Sequence, residues 1–353
     1  MQALKATTLR PFGMFEQHFQ TIFLKEKNPF STILGADHSK HQLSSALAMG
    51  RHALILGPPG VGKTTLAKNI SGILPDATLN DCPYHCEPNA PLCPECKLKK
   101  HKPRTIPGTE RFIRVQGSPD LTAEDLLGDI DPVKALQYGP TSTEAFTPGK
   151  LFKANHGVLF FDELNRCPEK VQNALLQVLE EGKATIGSHT IELPARFIFI
   201  GTMNPEETAA TEKLSDVLLD RFDIIHMTYP ETDDIETRIV LEKGAKTNVA
   251  FPPDILHATI LFVRTLRTHK DVQKKPSVRA SLGLYERAQA NALLAKRKTV
   301  TAQDVTDADI SVLSHRITLK PSIKYLQTPE QFLAAEFAKF VDERPELSGS
   351  GDL

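Results

Sequence analysis

Up to about residue 230, the chain alternates between short apolar runs and stretches with apolar positions at helical spacing. The runs HALILG, GVLFFDEL and ARFIFIGTMNP are typical of buried strands, and regular structure is also expected at RFIRVQG. The intervening TTLAKNISGIL is predicted to be a helix, and PEKVQNALLQVLEEG an amphipathic helix. The second has an apolar stripe made of Val171, Leu175, Val178 and Leu179. Strands that alternate with helices predict an α/β domain whose parallel sheet is covered on both faces.

Beyond Tyr229-Pro230 the pattern becomes helical. Apolar positions recur at helical spacing in DDIETRIVLEKGA, PDILHATILFVRTLRTH, VRASLGLYERAQANALLAKR and AQDVTDADISVLSHRI, and again in PEQFLAAEFAKFV. These changes predict four regions. They are an N-terminal arm at residues 1–30, an α/β domain at 31–230, a smaller all-α domain at 231–320, and a C-terminal helix and tail at 321–353.

Composition narrows the class of protein. The 353 residues are 40% hydrophobic and 24% charged, as in ordinary soluble proteins, and no apolar run approaches the roughly 20 residues that span a bilayer. The N-terminus lacks the apolar core of a signal peptide, so we expect a cytoplasmic protein without membrane insertion. The net charge of -1 provides no basic field, which argues against a nucleic-acid partner.

A phosphate-binding loop is predicted between the first strand and its helix. Gly57 to Thr64 reads GPPGVGKT and fits the pattern G-x-x-x-x-G-K-[ST]. Its glycines would turn backbone N–H groups onto phosphates, Lys63 would reach the β- and γ-phosphates, and the Thr64 hydroxyl would bind Mg²⁺. The predicted nucleotide-binding residues are Gly57, Pro58, Pro59, Gly60, Val61, Gly62, Lys63, Thr64, Thr65 and Asp162.

Polar groups for hydrolysis follow two of the predicted strands. Asp162 and Glu163 end the strand GVLFFDEL, where Asp162 would hold Mg²⁺ through water and Glu163 would polarise the attacking water. Asn204 ends the next buried strand and could orient that water. The alternatives are a pair of solvated acids and an ordinary turn asparagine.

Two arginines are candidates for stabilising charge in the transition state. Arg221 lies in LDRF, after the Asn204 strand, and Arg279 lies in PSVRASL at the start of a predicted helix in the second domain. Spacing alone leaves a surface ion pair open for each.

The ordered set of phosphate loop, DE strand, Asn strand, DRF and second-domain arginine resembles an AAA+ ATPase, an αβα domain followed by a helical lid. TAEDLLGDIDPVKAL, AFTPGKLFKANHGVLFFDELN and LPARFIFIGTMNPEE are similar to the ATPase (I) subunit of magnesium chelatase. NRCPEKVQNALLQVLEEG and the lid sequence from SVRASLGLYERAQ to LSHRI look more like the MoxR group.

The resemblance implies a homo-oligomeric ring, commonly a hexamer, with ATP at the subunit interfaces. Arg221 would then reach a neighbour's nucleotide, and Arg279 would touch the γ-phosphate from the lid. Asp131 to Thr147 would be a loop inserted into a helix, and Ala184 to Pro194 a hairpin. It also implies a separate partner with a von Willebrand A domain, or a large chelatase subunit.

Three functions remain open at this point. One is the motor subunit of a magnesium-chelatase-like complex, in which ATP hydrolysis drives metal insertion into a tetrapyrrole. The second is a MoxR-type remodelling ATPase. The third is a nucleotide-binding scaffold without turnover, against which Glu163 and Asn204 argue.

An insert at about residues 76–107 holds four of the five cysteines. Their spacing is Cys82-x3-Cys86-x6-Cys93-x2-Cys96, which lies in the range of zinc ligands, with His85 and His101 as spare candidates. A structural Zn²⁺, reduced thiols, disulfides and a redox role are the alternatives. Cys167 is expected to be a packed thiol. The run KLKKHKPR, which follows Cys96, is a solvated face or a site for an anionic client or nucleic acid.

Overall fold

The computed structural model describes residues 13–91, 93–98, 102–140, 142–181, 183–186, 189–192, 196–205 and 212–344. The chain forms two compact units. The first comprises the chain up to Ile33, Asp37–Gly57 and Gly62–Met227. The second comprises Leu34–Ala36, Pro58–Val61 and the chain from Thr228 onward. None of the described helices is long and apolar enough to cross a membrane.

The first unit combines a central sheet with helices and small strand pairs. Its helices and strands are, in chain order, α1 Gly13–Lys25, α2 Asp37–Ala48, β1 Ala53–Leu56, α3 Lys63–Ile73, β2 Ala77–Asn80, α4 Pro94–Leu98, β3 Pro103–Ile106, β4 Phe112–Gln116, α5 Ala123–Leu127, β5 Gly128–Ile130, α6 Pro132–Tyr138, β6 Phe146–Pro148, α7 Lys150–Lys153, β7 Val158–Asp162, α8 Glu169–Glu181, β8 Lys183–Ile186, β9 His189–Glu192, β10 Ile198–Met203, α9 Asp216–Leu219 and β11 Asp223–His226.

The sheet is parallel, with strand order β11-β1-β10-β7-β4, which confirms the predicted fold class. All five residues of β7 are buried, because helices cover both faces of a parallel sheet. The predicted stripe of α8 packs into this core through Val171, Leu175 and Val178. β7 and β10 lie side by side, so their carboxyl ends meet at the same edge.

The two inserts have more regular structure than the sequence indicated. The cysteine-rich insert is framed by the antiparallel pair β2–β3 and contains α4. β1 is equally short but continuously apolar, whereas β2 and β3 contain polar residues and form no continuous apolar run. The predicted loop from Asp131 to Thr147 contains α6 and most of β6, which pairs with β5. The predicted hairpin is the antiparallel pair β8–β9.

The second unit is largely helical. Its elements are α10 Asp233–Lys243, α11 Pro253–Thr268, β12 Val272–Lys274, α12 Val278–Leu294, α13 Ala302–Leu313, β13 Thr318–Leu319, α14 Pro321–Lys324 and α15 Pro329–Asp342. The prediction of an all-α region missed the antiparallel pair β12–β13. Phe332 and Phe337 of α15 join the same apolar core as Phe262, so the C-terminal helix packs into this unit.

Candidate nucleotide-binding site

The predicted phosphate loop connects β1 to α3. Gly60 and Gly62 have φ of +73° and +99°, in the left-handed region that residues other than glycine rarely adopt. Among the described residues α3 has no side-chain cap at Gly62, which leaves the N–H groups of its first turn for an anion. Lys63 Nζ lies 2.6 Å from the Gly57 carbonyl oxygen, so the ammonium is folded back over the loop. Thr65 is exposed in the same turn.

Two predicted magnesium ligands meet at the end of β7. Thr64 Oγ1 donates to Asp162 Oδ2 at 3.3 Å, and Asp162 is 8% exposed. A hydroxyl and a carboxylate at this distance form part of the all-oxygen ligand set that Mg²⁺ prefers, and positions remain for phosphate oxygens and water. The residues therefore fit a magnesium–nucleotide complex.

Two side chains that the sequence interpretation missed also hold Asp162. Thr202 Oγ1 donates to Asp162 Oδ1 at 2.6 Å, and an Arg114 Nη donates to Asp162 Oδ2 at 2.6 Å. Arg114 is a charge between the apolar residues Ile113 and Val115 of the predicted strand RFIRVQG, which is a signal that could have identified it. The carboxylate orientation is thus fixed from β4 and β10, the strands on either side of β7.

Glu163 adopts a left-handed backbone conformation, with φ of +56°. Such a conformation costs on the order of 1 kcal/mol in a residue with a side chain, and it is often found at functional sites. The Gln116 amide donates to Glu163 Oε2 at 3.0 Å, and an Arg166 Nη lies 3.3 Å from the same oxygen. The Glu163 N–H donates to Thr202 Oγ1 at 3.0 Å, so the turn after β7 is anchored to β10.

Asn204 follows β10 directly and is partly buried. Because Gly201 is in register with Phe161, the residues that leave these strands are neighbours at one edge of the sheet. The structure thus brings Asn204 to the edge that carries Asp162 and Glu163.

The two candidate arginines have different surroundings. Arg221 Nη2 donates to Glu180 Oε1 at 2.6 Å in the first unit, which is the ion pair that spacing had left open. Arg279 lies in the first turn of α12, and its N–H donates to the capping Ser277 Oγ at 3.3 Å. Within the second unit, a Cβ built on Gly60 would lie 3.4 Å from Arg279 Cγ, so this arginine is close to Gly60.

The four cysteines of the insert form one buried cluster. Their Sγ atoms all lie within 4.8 Å of one another, and the thiols are free. A tetrahedral Zn²⁺ with bonds of about 2.3 Å requires sulfur atoms at comparable separations. Backbone N–H groups of Cys86, Cys93 and Cys96 each donate to a cluster sulfur at 3.3–3.4 Å, the type of contact that stabilises thiolates. The donors therefore fit a metal ion.

The cluster is joined to the core beside β7. The Tyr84 ring packs edge-on against Phe152 with centroids 5.4 Å apart, and Asn155 Nδ2 donates to the Tyr84 carbonyl at 3.0 Å. Glu87 forms an ion pair with Arg196 at 2.7 Å. His101, one of the spare ligands, lies outside the described residues, and the metal-binding group does not include His85.

Cys167 stands apart from the cluster in the apolar core. Burial raises the pKa of its thiol to about 12, and Sγ donates to the Leu164 carbonyl at 2.8 Å.

Comparisons with known proteins match successive parts of the chain. A family model described as the ATPase family associated with various cellular activities (AAA) matches residues 100–224. The AAA lid domain matches residues 264–334, and the model of magnesium chelatase, subunit ChlI, matches residues 29–85.

Relatives are similar over most of their length. A chloroplastic magnesium-chelatase subunit ChlI-2 of Arabidopsis thaliana is 30% identical over 326 residues, covering 83% of this chain and 76% of the relative. A magnesium-chelatase subunit ChlI homolog of Methanocaldococcus jannaschii is 28% identical, covering 83% and 86%. A solved complex of magnesium-chelatase subunits BchI and BchD includes a chain that is 22% identical, covering 86% and 98%, with a TM-score of 0.47.

Proposed function

Because the chain belongs to the AAA+ ATPases, in the family of magnesium-chelatase subunit ChlI, we propose that it is the motor subunit of a magnesium-chelatase-like complex. It would hydrolyse ATP in a homo-oligomeric ring, commonly a hexamer, and drive metal insertion into a tetrapyrrole by a separate partner subunit. The observation that supports the proposed ATP hydrolysis is the contact of Thr64 with Asp162 at the end of β7, where Glu163 is the next residue. The MoxR alternative rests on sequence similarity of α8 and the lid alone.

Each polar residue has a defined task in this proposal. The α3 N-terminus and Lys63 bind the β- and γ-phosphates. Thr64 and Asp162 would hold Mg²⁺, which when bound offsets the negative charge that develops on the phosphates. Thr202 and Arg114 keep Asp162 in place for that contact.

Glu163 and Asn204 act on water. The Glu163 carboxylate orients the attacking water and draws its proton, and Asn204 holds the water from the neighbouring strand. Gln116 and Arg166 fix Glu163 Oε2, which reduces the freedom of the catalytic group before reaction. Arg221 and Arg279 would stabilise charge on the transferred phosphoryl group, Arg221 from a neighbouring subunit and Arg279 from the lid.

A structural Zn²⁺ held by Cys82, Cys86, Cys93 and Cys96 is part of the same proposal. Four protein ligands leave no open coordination position, so this metal would bind neither water nor substrate. Its expected effect is to order the insert against Phe152 and Asn155. The partner is expected to carry a von Willebrand A domain or to be a large chelatase subunit.

A subunit-mixing assay tests the ring. Lys63→Ala should abolish ATP turnover, and Arg221→Ala should lower it about 10³-fold. Mixed together, they should regain activity, because some interfaces combine an intact arginine with an intact phosphate loop. Arg51→Ala is the matched control, since Arg51 also forms a 2.6 Å ion pair in the first unit, and it should be as active as the native chain. No regain at any mixing ratio would contradict action across an interface.

Co-purification from the native source separates the two functions. Capture of a large porphyrin-binding subunit with the tagged chain supports the chelatase role. Capture of a protein with a von Willebrand A domain, without a tetrapyrrole-binding subunit, supports the remodelling function and contradicts the proposed function.

A further inference from the structure

A fully buried carboxylate lies at the centre of the second unit. Glu236, on α10, is 0% exposed. Its two carboxylate oxygens accept hydrogen bonds from Arg267 Nη1 and Nη2, each at 2.6 Å, and Arg264 Nη1 lies 3.4 Å from Oε2. Ser281 Oγ donates to Oε1. Because burying charges costs several kcal/mol per ion, and apolar packing often serves stability as well, the burial of this ion pair is weak evidence of a stabilising role.

The arginines of this cluster also hold backbone on both sides of it. Arg267 Nε donates to the Pro276 carbonyl at 2.8 Å, and its guanidinium lies 4.7 Å from the Tyr229 ring centroid. Arg264 donates to the carbonyls of Pro230 and Glu231, at 2.9 and 3.0 Å. The segment before α10 and the segment before α12 are therefore attached to the two arginines that contact Glu236.

The attachment points bracket Arg279. Pro276 lies three residues before it, and Ser281 lies two residues after it in the first turn of α12. Ser277, between them, caps this helix, and a Cβ on Gly60 would lie 2.7 Å from Ser277 Oγ. The start of α12 is thus fixed from α10 and α11 and lies close to Gly60.

We propose that Glu236 is a positioning residue for Arg279, acting through Arg267 and Ser281 to fix the first turn of α12. The inference rests on the proposed function, in which Arg279 contacts the γ-phosphate. A guanidinium on a fixed helical turn meets the phosphate without reorganisation, and a misplacement of about 1 Å can cost as much as 10²-fold in rate.

Steady-state ATP turnover by the full chain, measured well below each variant's melting temperature, tests this. Arg279→Ala should lower kcat about 100-fold. Glu236→Gln keeps the shape but removes the charge that holds Arg267, and it should lower kcat about 10-fold with little change in KM. Ser281→Ala cuts only the link from Glu236 to α12 and should lower kcat in the same way but less.

Double variants distinguish positioning from general loss of structure. Because Glu236 acts through Arg279, Glu236→Gln should have no further effect on kcat in an Arg279→Ala background. Asp304→Asn is the matched control: Asp304 is also buried and pairs with Arg297 in the second unit, but at the start of α13. It should lower the melting temperature and leave kcat unchanged.

Each outcome bears on one claim. An unchanged kcat in Arg279→Ala would remove the proposed role of that arginine. If Arg279→Ala lowers kcat but Glu236→Gln and Ser281→Ala leave kcat unchanged, the positioning role is overturned and the role of Arg279 stands. The same conclusion follows if the effects of Glu236→Gln and Arg279→Ala on kcat multiply in the double variant. If Glu236→Gln fails to fold, Ser281→Ala and its double variant with Arg279→Ala decide the question by the same criteria.

Discussion

Two regions of the first unit offer ligands for a metal ion, and they differ in how complete they are. At the edge of the sheet, Thr64 and Asp162 provide two oxygens beside an open loop, and Glu163 is partly exposed next to them. In the insert, four cysteine sulfurs face one another and all four residues are buried. The first region leaves room for phosphate and water, and the second does not.

The difference follows from where each site lies in the fold. The carboxyl ends of parallel strands release side chains into a shared crevice, and adjacent strands can hold them there, as Arg114 and Thr202 hold Asp162. The cysteines lie in a segment enclosed by β2 and β3, which has little apolar core of its own. An open metal site performs chemistry, and a closed one stabilises a segment that could not otherwise order itself.

Asp162→Asn should have the largest effect of the changes that probe this difference. Loss of the charge that would hold Mg²⁺ should lower kcat about 10²–10³-fold and raise the Mg²⁺ concentration needed for turnover. Zinc content should stay at the native value. Asp120→Asn, an exposed carboxylate, is the control and should behave as the native chain. Native turnover in Asp162→Asn would show that the open site is not where magnesium binds.

Changes in the cysteine cluster should have the opposite effect, because they should remove zinc and leave ATP turnover nearly unchanged. Cys93→Ser/Cys96→Ser should reduce zinc from about one to zero per chain and lower the free energy of unfolding by on the order of 3 kcal/mol. ATP turnover at low temperature should stay within about 2-fold. Metal analysis by plasma mass spectrometry and thermal unfolding measure both effects.

Cys167→Ala is the matched control for the cluster, because Cys167 is buried but lies apart from it. It should keep the native zinc content. A folded native chain without zinc would show that the four cysteines are a reduced cluster only.

Gln116→Ala should have a smaller effect, confined to the open site. The amide donates to Glu163 Oε2, so its removal frees the carboxylate and should lower kcat about 10-fold without changing nucleotide affinity. Fluorescent-nucleotide binding and turnover separate the two quantities. Gln303→Ala, which removes an exposed hydrogen bond on α13, should change neither. A higher kcat in Gln116→Ala would mean that the hydrogen bond restrains Glu163 from acting.

His156→Asn should have the smallest effect at neutral pH. Burial lowers the pKa of His156 to about 4 from about 6.5. Between these two pH values, His156 is therefore protonated in the unfolded chain and neutral in the folded chain. Stability from this group is present above pH 6.5 and is lost as the pH falls toward 4, by up to about 3 kcal/mol. Asn accepts the left-handed φ of +58° at this position.

Urea unfolding between pH 4 and 7.5 measures that effect. The variant should lose less stability in acid than the native chain and should hydrolyse ATP normally at pH 7.5. An equal pH dependence in both chains would show that His156 titrates normally in the fold.

The parallel sheet and the phosphate loop could be predicted because their signals are local. Continuous apolar runs identify β7 and β10, and GPPGVGKT is specific by itself. The partners of the site residues could not be predicted in this way. Thr202 contacts Asp162 across 40 positions of sequence, and Gln116 contacts Glu163 across 47. Which polar residue on one strand faces another depends on register, and register is a property of the folded sheet.

The same limit applies to Glu236. It reads as one of several acids on an amphipathic helix, and only the packing of α10 against α11 and α12 places Arg267 and Ser281 around it. The cysteine cluster is the opposite case, because its spacing is a local signal for metal ligands.

Glu163→Gln tests the central claim most directly. The variant keeps the size of the side chain and removes the carboxylate that would accept a proton from water. ATP binding by isothermal calorimetry should match that of the native chain, ATP turnover should fall by at least about 10²-fold, and zinc should remain at about one per chain. Turnover at the native rate would contradict the assignment of this edge of the sheet as the site where the chemistry occurs.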